Sequence, residues 1–225
     1  MTSFCLIHGA WHDAACWDEV ARILRERGHE VAATDLPYDD PSAGYAQRVA
    51  PALAGLEGIG GPLVVVGHSM GSSYAPIVAE LLAASLLVHL CPRLGGFAAG
   101  EGAPAGPLRA SMRLPSPGSD GLSVWDPEAA ISAMYGRLAP ETARALAARL
   151  RPVAAPAGTF PLAGHPDVPT ALIYAADDEF FEPEWERFMA REVIGVEPIE
   201  IAGGHFPMVE DPEGLADLLE RIAPG

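Results

Sequence analysis

The sequence predicts an α/β fold, in which a mostly parallel sheet of about six strands carries helices on both faces and a helical insertion. Short runs of apolar and β-branched residues alternate with segments whose apolar residues recur at helical spacing. Such alternation makes the strands parallel, because each helix carries the chain back across the sheet. At 225 residues, the chain is expected to form a single domain over 1–225 that buries a core.

Six runs predict the strands of this sheet. They cover residues 3–8, 30–34, 63–67, 85–91, 170–176 and 196–201. Helical spacing predicts the elements that separate or follow them, at residues 17–27, 45–56, 70–84, 184–193 and 213–222. Pro76 is expected to kink the third helix or to lie in its first turns. We expect the first strand between the second and the third, so that a crevice opens where the chain direction reverses.

One long segment interrupts the alternation. Residues 93–168 are rich in Pro, Gly and Ala and contain two helical patterns, at 127–138 and 140–150. An insertion between strands that lies over their carboxyl ends would cap a pocket. We therefore expect a core of 1–92 and 169–225 and a cap of about 93–168.

Composition excludes several classes of function. The formal charge of −16 argues against nucleic acid and anionic membranes as partners. No apolar run is long enough to span a membrane and no secretory signal is visible, so a cytoplasmic protein is expected. The cysteines, Cys5, Cys16 and Cys91, lack metal-ligand spacing and fit a reducing compartment. The chain has no lysine, which excludes Schiff-base chemistry, and its Ala, Gly, Pro and Arg content suggests a GC-rich bacterial genome.

A serine lies at the sharpest predicted turn. Gly67-His68-Ser69-Met70-Gly71 directly follows the apolar run of the third strand. A strand that turns at once into a helix strains the serine backbone and needs small residues on both sides, which Gly67 and Gly71 provide. The helix directs its positive end toward charge that develops near Ser69. The pattern predicts a nucleophilic serine.

A nucleophilic serine needs a base and an acid that orients the base. An acidic run, Asp177-Asp178-Glu179, follows the fifth predicted strand, and His205 follows the sixth. In a parallel sheet both lie at the carboxyl edge, where Ser69 also lies. The chain order Ser, Asp, His predicts a catalytic triad, and at this point Asp177 and Asp178 both remain candidates for its acid.

The loop after the first strand is the expected oxyanion hole. Gly9 lets the backbone turn so that the amide of Ala10 faces the pocket, and the amide of Met70 is the second donor. The candidates for the lining of the substrate pocket are Gly9, Trp11, His12, Trp125, Tyr135 and Phe206. The expected chemistry calls for no metal, nucleotide or redox cofactor, and the expected partner is a small-molecule ester.

Five segments together resemble the α/β-hydrolase superfamily, and within it the branch of plant methyl-ester esterases, hydroxynitrile lyases and many bacterial esterases. They are His8-Gly9-Ala10-Trp11-His12, Cys16-Trp17, Gly67-His68-Ser69-Met70-Gly71, Asp178-Glu179-Phe180-Phe181 and Gly204-His205. The resemblance covers most of the core and fades in the cap. It implies an α/β-hydrolase fold and a carboxylesterase scaffold with Ser69 as nucleophile and His205 as base. The residues that follow Asp178 match the branch's pattern after its triad aspartate better than those that follow Asp177, which favours Asp178.

The resemblance also bears on the reaction. The lyases of this branch carry threonine and lysine where this chain has Gly9 and Phe206. Without a cation to stabilise cyanide, lyase activity is disfavoured. The main hypothesis is a serine carboxylic-ester hydrolase that acts through an acyl-enzyme on a small to medium, largely apolar ester. The alternatives are a carbon–carbon bond hydrolase, lyase or cyclase of secondary metabolism, and a ligand-binding protein with a vestigial triad. A homodimer is left open.

Overall fold

A six-stranded parallel sheet organises the molecule. The computed structural model describes residues 1–100 and 102–224. Within that part of the chain the strands are β1 (Ser3–Ile7), β2 (Glu30–Ala33), β3 (Leu63–His68), β4 (Leu86–Leu90), β5 (Leu122–Ser123), β6 (Val153–Ala154), β7 (Thr170–Ala175) and β8 (Ile199–Ile201). The sheet has the order β2-β1-β3-β4-β7-β8, and all its pairs are parallel. The strands β5 and β6 form a separate antiparallel pair.

Helices cover both faces of the sheet. They are α1 (Asp18–Glu26), α2 (Tyr45–Gly55), α3 (Ala75–Leu81), α4 (Pro127–Met134), α5 (Pro140–Ala147), α6 (Pro183–Phe188), α7 (Pro207–Glu210) and α8 (Pro212–Ile222). Residues of α1 and α8 share one apolar cluster with the sheet, and residues of α2 and α3 share the cluster on its other face. The first of these clusters also contains residues of α4 and α5, so the insertion packs onto the core on that side.

The strand sequences show why the sheet is buried on both sides. In β1, Phe4 and Leu6 face the cluster of α1 and α8, whereas Cys5 and Ile7 face the cluster of α2 and α3. All are at most 1% exposed. A strand covered on both faces needs apolar residues at successive positions, since neighbouring side chains point to opposite sides.

The predicted fold class is confirmed, and so is the position of β1 between β2 and β3. The predicted helix over 70–84 is wrong in its first third, because Ser69–Ser73 form a 3₁₀ turn and α3 begins only at Ala75. The Ser72 hydroxyl donates to the Gly67 carbonyl at 2.5 Å, within this tight turn. Pro76 lies in the first turn of α3, where its missing N–H costs no hydrogen bond.

Other boundaries differ where local signals are weak. The last strand begins at Ile199 rather than 196, because the Val196 N–H donates to the Ala190 carbonyl at 2.8 Å and is not available to the sheet. The helix predicted over 184–193 divides into α6 and a π-helical segment over Met189–Ile194. The β5–β6 pair was not predicted, since two residues a strand are too few for a periodicity. None of the helices in the described residues is both long and apolar enough to cross a membrane.

Candidate active site

The turn after β3 holds Ser69 in a strained conformation. Its φ is +50°, in the left-handed region that side chains disfavour. A Cβ atom at Gly67 would lie 2.7 Å from the Ala75 Cβ, and one at Gly71 would lie 2.7 Å from the His8 carbonyl oxygen. There is therefore no room for a side chain at either glycine, because β3, the turn after it and the loop after β1 pack closely together. This packing holds Ser69 at the carboxyl edge of the sheet, where it is 9% exposed.

The side chains of Asp178 and His205 meet near this serine. Nδ1 of His205 lies 2.7 Å from Oδ2 of Asp178, and the two residues are 2% and 0% exposed. The other carboxylate oxygen, Oδ1, accepts hydrogen bonds from the backbone N–H groups of Phe180 and Phe181, at 2.6 and 2.9 Å. These two bonds hold the carboxylate so that Oδ2 faces the imidazole.

The adjacent acid occupies a different environment. The Asp177 side chain is 62% exposed and lies 3.4 Å from the Arg137 guanidinium. The geometry thus places Asp178, and not Asp177, against His205. Residue reasoning alone left this choice open, because both acids directly follow the same strand.

The ring of His205 is held by its neighbours. Phe180 stacks on it with ring centroids 4.4 Å apart, and His68 lies on another side at 4.8 Å. The His205 backbone N–H donates to the Glu179 carboxylate at 2.9 Å, and its carbonyl lies 2.8 Å from Nε2 of His68. Burial and the nearby His205 lower the pKa of His68 well below its usual value, so His68 is neutral at neutral pH.

The loop after β1 is held by two histidine side chains. Nδ1 of His8 donates to the Gly9 carbonyl at 2.9 Å, and its Nε2 accepts the Leu36 backbone N–H at 3.0 Å. Nδ1 of His12 lies 2.7 Å from the Ala10 carbonyl. A Cβ at Gly9 would lie 2.9 Å from the His68 ring, which explains glycine there.

The space in front of Ser69 is almost filled. A cavity of about 10 Å³ is lined by Gly9, Ala10, Trp11, His12, His68, Ser69, Met134, Phe180, His205 and Phe206. This is room for about one water molecule. Ser69 and His205 share the cavity, yet within the described residues no hydrogen bond joins the serine hydroxyl to the imidazole. Such bonds are often long before a substrate is bound.

The sequence-predicted pocket residues divide into two groups. Gly9, Trp11, His12 and Phe206 line this cavity. Trp125 instead lines a larger neighbouring cavity of about 790 Å³ between the insertion and the Asp178 loop, while its ring meets Trp11 edge-on at 5.9 Å. Tyr135 lines neither cavity and is bonded to His12 instead.

Three residues outside the predicted lining also lie at the site. Met134 of the insertion and Phe180 line the Ser69 cavity. Cys91 lies directly after β4, with φ of +43°, and its sulfur is within 4.8 Å of the ligand atoms of Asp178 and His205. Burial and the Asp178 charge raise the thiol pKa well above its usual value, so Cys91 stays protonated.

Comparison with known proteins identifies the family. The alpha/beta hydrolase family model matches residues 6–218. The chain belongs to the alpha/beta hydrolase family. This α/β hydrolase is 26% identical to esterase PIR7B of Oryza sativa subsp. japonica, over 98% of this chain and 95% of that protein. It is also 26% identical to norfluorocurarine synthase 1 of a Strychnos species, over 98% and 94% of the two chains.

Bacterial proteins match this α/β hydrolase as well. The pyrethroid hydrolase of Sphingobium wenxiniae is 36% identical over 83 residues, which cover 32% of this chain and 29% of that protein. The crystal structure of a pyrethroid hydrolase from Sphingobium faniae superposes with a TM-score of 0.80 at 24% identity, covering 98% of this chain and 96% of that one. The resemblance inferred from the five motif segments is therefore confirmed.

Proposed function

We propose that this α/β hydrolase is a serine carboxylic-ester hydrolase with Ser69 as nucleophile, His205 as base and Asp178 as the acid that orients the base. The observation that carries the proposal is the buried 2.7 Å contact between His205 and Asp178 at the cavity that also contains the strained Ser69. Because Nδ1 of His205 donates to the carboxylate, its Nε2 keeps a lone pair and can accept a proton.

The reaction follows from these positions. The Ser69 hydroxyl turns toward Nε2 of His205, its oxygen attacks the ester carbonyl, and its proton passes to that nitrogen. The backbone N–H groups of Ala10 and Met70 bind the oxyanion, each contributing about 3 kcal/mol in comparable enzymes. The protonated His205 then gives its proton to the departing alcohol. Water then attacks the acyl-enzyme and gives a proton to His205. His205 returns this proton to the Ser69 oxygen as the acid product leaves.

The lining of the site supports a small to medium, largely apolar ester. Four of the side chains around Ser69 are Trp11, Met134, Phe180 and Phe206, all apolar or aromatic. The esterase and hydrolase names of the relatives agree with this substrate class. No residue of the proposed mechanism requires a metal or an organic cofactor.

The compartment, the alternative reaction and the oligomeric state are also matters of proposal. The cysteines are free and buried, which supports a reducing compartment such as the cytoplasm of a bacterium. A second reaction on the same site, of the lyase or cyclase type, is the alternative to ester hydrolysis, since one of the full-length relatives is named as a synthase. The formation of a homodimer stays a prediction.

A fluorophosphonate probe and a short-chain p-nitrophenyl ester test the proposal. Both labelling and turnover are expected in the wild type, and both should be lost in Ser69→Ala and His205→Ala. Ser119→Ala, at an exposed serine of the insertion, is the matched control and should behave as the wild type. Labelling at Ser69 without ester turnover would favour the alternative reaction. Absence of labelling would contradict a serine hydrolase and favour a ligand-binding role.

A further inference from the structure

A hydrogen-bond chain joins the insertion to the loop after β1. The Tyr135 hydroxyl lies 2.6 Å from Nε2 of His12, and Nδ1 of the same ring lies 2.7 Å from the Ala10 carbonyl. A carbonyl only accepts, so Nδ1 carries the proton and Nε2 accepts the Tyr135 O–H. The chain therefore runs in one direction, from Tyr135 through His12 to Ala10.

The hydrogen bonds from Tyr135 through His12 to Ala10 require a neutral His12, and its buried position favours that form. His12 is 8% exposed and Tyr135 is 1% exposed. Burial lowers the pKa of His12 to about 4, so the ring is neutral at neutral pH and offers one donor and one acceptor. Besides Tyr135, the charged or titratable groups around His12 include Asp13, His8 and His205. Of these, Asp13 is paired with Arg149 at 2.8 Å.

The chain ends on the peptide that borders the proposed oxyanion donor. The carbonyls on both sides of the Ala10 N–H are occupied, that of Gly9 by His8 and that of Ala10 by His12. Fixing both carbonyls fixes the direction of the N–H between them. The next residue, Trp11, has φ of +61°, a conformation that costs about 1–2 kcal/mol and needs external support.

The support comes from the insertion. Three residues of the insertion contact this loop. Tyr135, directly after α4, bonds to His12. The Trp11 indole N–H donates to the Ser123 carbonyl at 3.2 Å, and the Trp11 carbonyl accepts the Arg151 N–H at 2.9 Å. The cavity at Ser69 holds about one water, so an ester enters only when the insertion or this loop shifts. Because Tyr135 belongs to the insertion and His12 to the core, a shift of the insertion would break their hydrogen bond.

We propose that Tyr135 and His12 are a positioning pair, through which the insertion holds the Ala10 N–H in register for the oxyanion when it is closed over Ser69. The pair touches no reacting atom, and its effect passes through the Ala10 peptide. This inference rests on the proposed esterase function. It explains why a tyrosine and a histidine 123 residues apart are joined within a site whose acid and base are already complete.

A double-mutant cycle tests the pair. Tyr135→Phe removes only the hydroxyl, and His12→Phe removes both ring hydrogen bonds while keeping a ring. Removal of an oxyanion donor costs about 100-fold or more in kcat, so its misplacement in Tyr135→Phe is expected to cost about 10-fold, with KM changed less than about twofold. In the His12→Phe background, Tyr135→Phe should cost nothing further, because the chain is already broken.

Tyr45→Phe is the matched control. Tyr45 packs against Tyr74 and Phe160 on the other face of the sheet, and its variant should keep the wild-type kcat. A merely structural role of Tyr135 would lower the thermal midpoint and leave kcat per folded molecule unchanged, which would overturn the inference. Equal losses from Tyr135→Phe with and without His12 would also overturn it.

Failure of the proposed esterase function would give different results from failure of the positioning pair. If the wild type shows no labelling by the fluorophosphonate probe, or if Ser69→Ala keeps its ester turnover, the esterase proposal fails and the cycle has no oxyanion to report on. If labelling and turnover depend on Ser69 and His205 while Tyr135→Phe keeps its kcat, only the positioning pair fails.

Discussion

Asp178 receives two backbone N–H groups on one carboxylate oxygen and His205 on the other, at 2.7 Å. The two backbone bonds leave the carboxylate no freedom to turn, and the loop that supplies them continues into Phe180, which stacks on the same imidazole. One short segment therefore fixes both the Asp178 carboxylate and the plane of the His205 ring. The neighbouring Asp177 shares none of these contacts.

We expect Asp178→Asn to lower kcat by about 10⁴-fold. The asparagine keeps the shape of the side chain, but its NH₂ group facing Nδ1 favours the other imidazole tautomer, in which Nε2 carries a proton and cannot accept one from Ser69. Ester turnover under saturating substrate measures the loss. Asp177→Asn is the control, expected within about threefold of the wild type because its side chain is 62% exposed. The reverse ranking would assign the acid to Asp177.

Gly67→Ala is expected to destabilise the protein by about 1–3 kcal/mol, because its Cβ would lie 2.7 Å from the Ala75 Cβ and from the Gly71 carbonyl oxygen. Ester turnover should fall as well, since relief of the collision displaces the Ser69 turn. Urea unfolding measures the first effect. Gly60→Ala, where no atom of the described residues lies within 4 Å of the new Cβ, should change the free energy of unfolding by less than about 0.5 kcal/mol. Equal effects of both substitutions would contradict the close packing of the turn.

Local patterns in the sequence predict the sheet, the serine turn and the positions of acid and base, because each depends on neighbouring residues and on the common edge of parallel strands. They do not separate Asp177 from Asp178, since only the course of the loop decides which carboxylate is buried. They also give no sign of the contact between His12 and Tyr135, because it depends on how the insertion folds back onto the core. The residues of such contacts have no local periodicity to reveal them.

The buried histidines make stability depend on pH. Burial lowers the pKa of His89 from 6.5 to about 3. Between these values the unfolded chain binds more protons than the folded one, so stability rises with pH and is lost as the pH falls below about 6.5. His89→Leu should therefore flatten the dependence, by up to about 1.4 kcal/mol per pH unit.

Urea unfolding between about pH 5 and 7 measures this slope, above the isoelectric point of about 4.7. Val88→Ala, at the adjacent buried position of β4, is the matched control. It should lower the free energy of unfolding at every pH by a similar amount and leave the slope as in the wild type, because valine does not titrate. A His89→Leu slope equal to that of the wild type would show that His89 takes up no proton on unfolding.

Arg48 is a buried arginine whose hydrogen bonds are all made inside the protein. It is 0% exposed, and its guanidinium makes five hydrogen bonds, to the Tyr74 hydroxyl and to the carbonyls of Asp40, Ala43, Ala154 and Ala155. A guanidinium has five N–H groups, so each has an acceptor. These bonds tie α2 to the segment before it, to Tyr74 and to the insertion at Ala154 and Ala155.

Arg48→Lys should lower the free energy of unfolding by about 3 kcal/mol, because an ammonium group has three donors at one point and leaves several buried carbonyls unpaired. Arg22→Lys is the control. The Arg22 side chain is 50% exposed and pairs with Glu19 and Glu26 on the surface of α1, where such pairs contribute less than about 1 kcal/mol. Urea unfolding of the two variants at neutral pH measures both changes in the free energy of unfolding. Equal urea midpoints for Arg48→Lys and Arg22→Lys would mean that the charge of Arg48, rather than the geometry of its guanidinium group, holds these segments together.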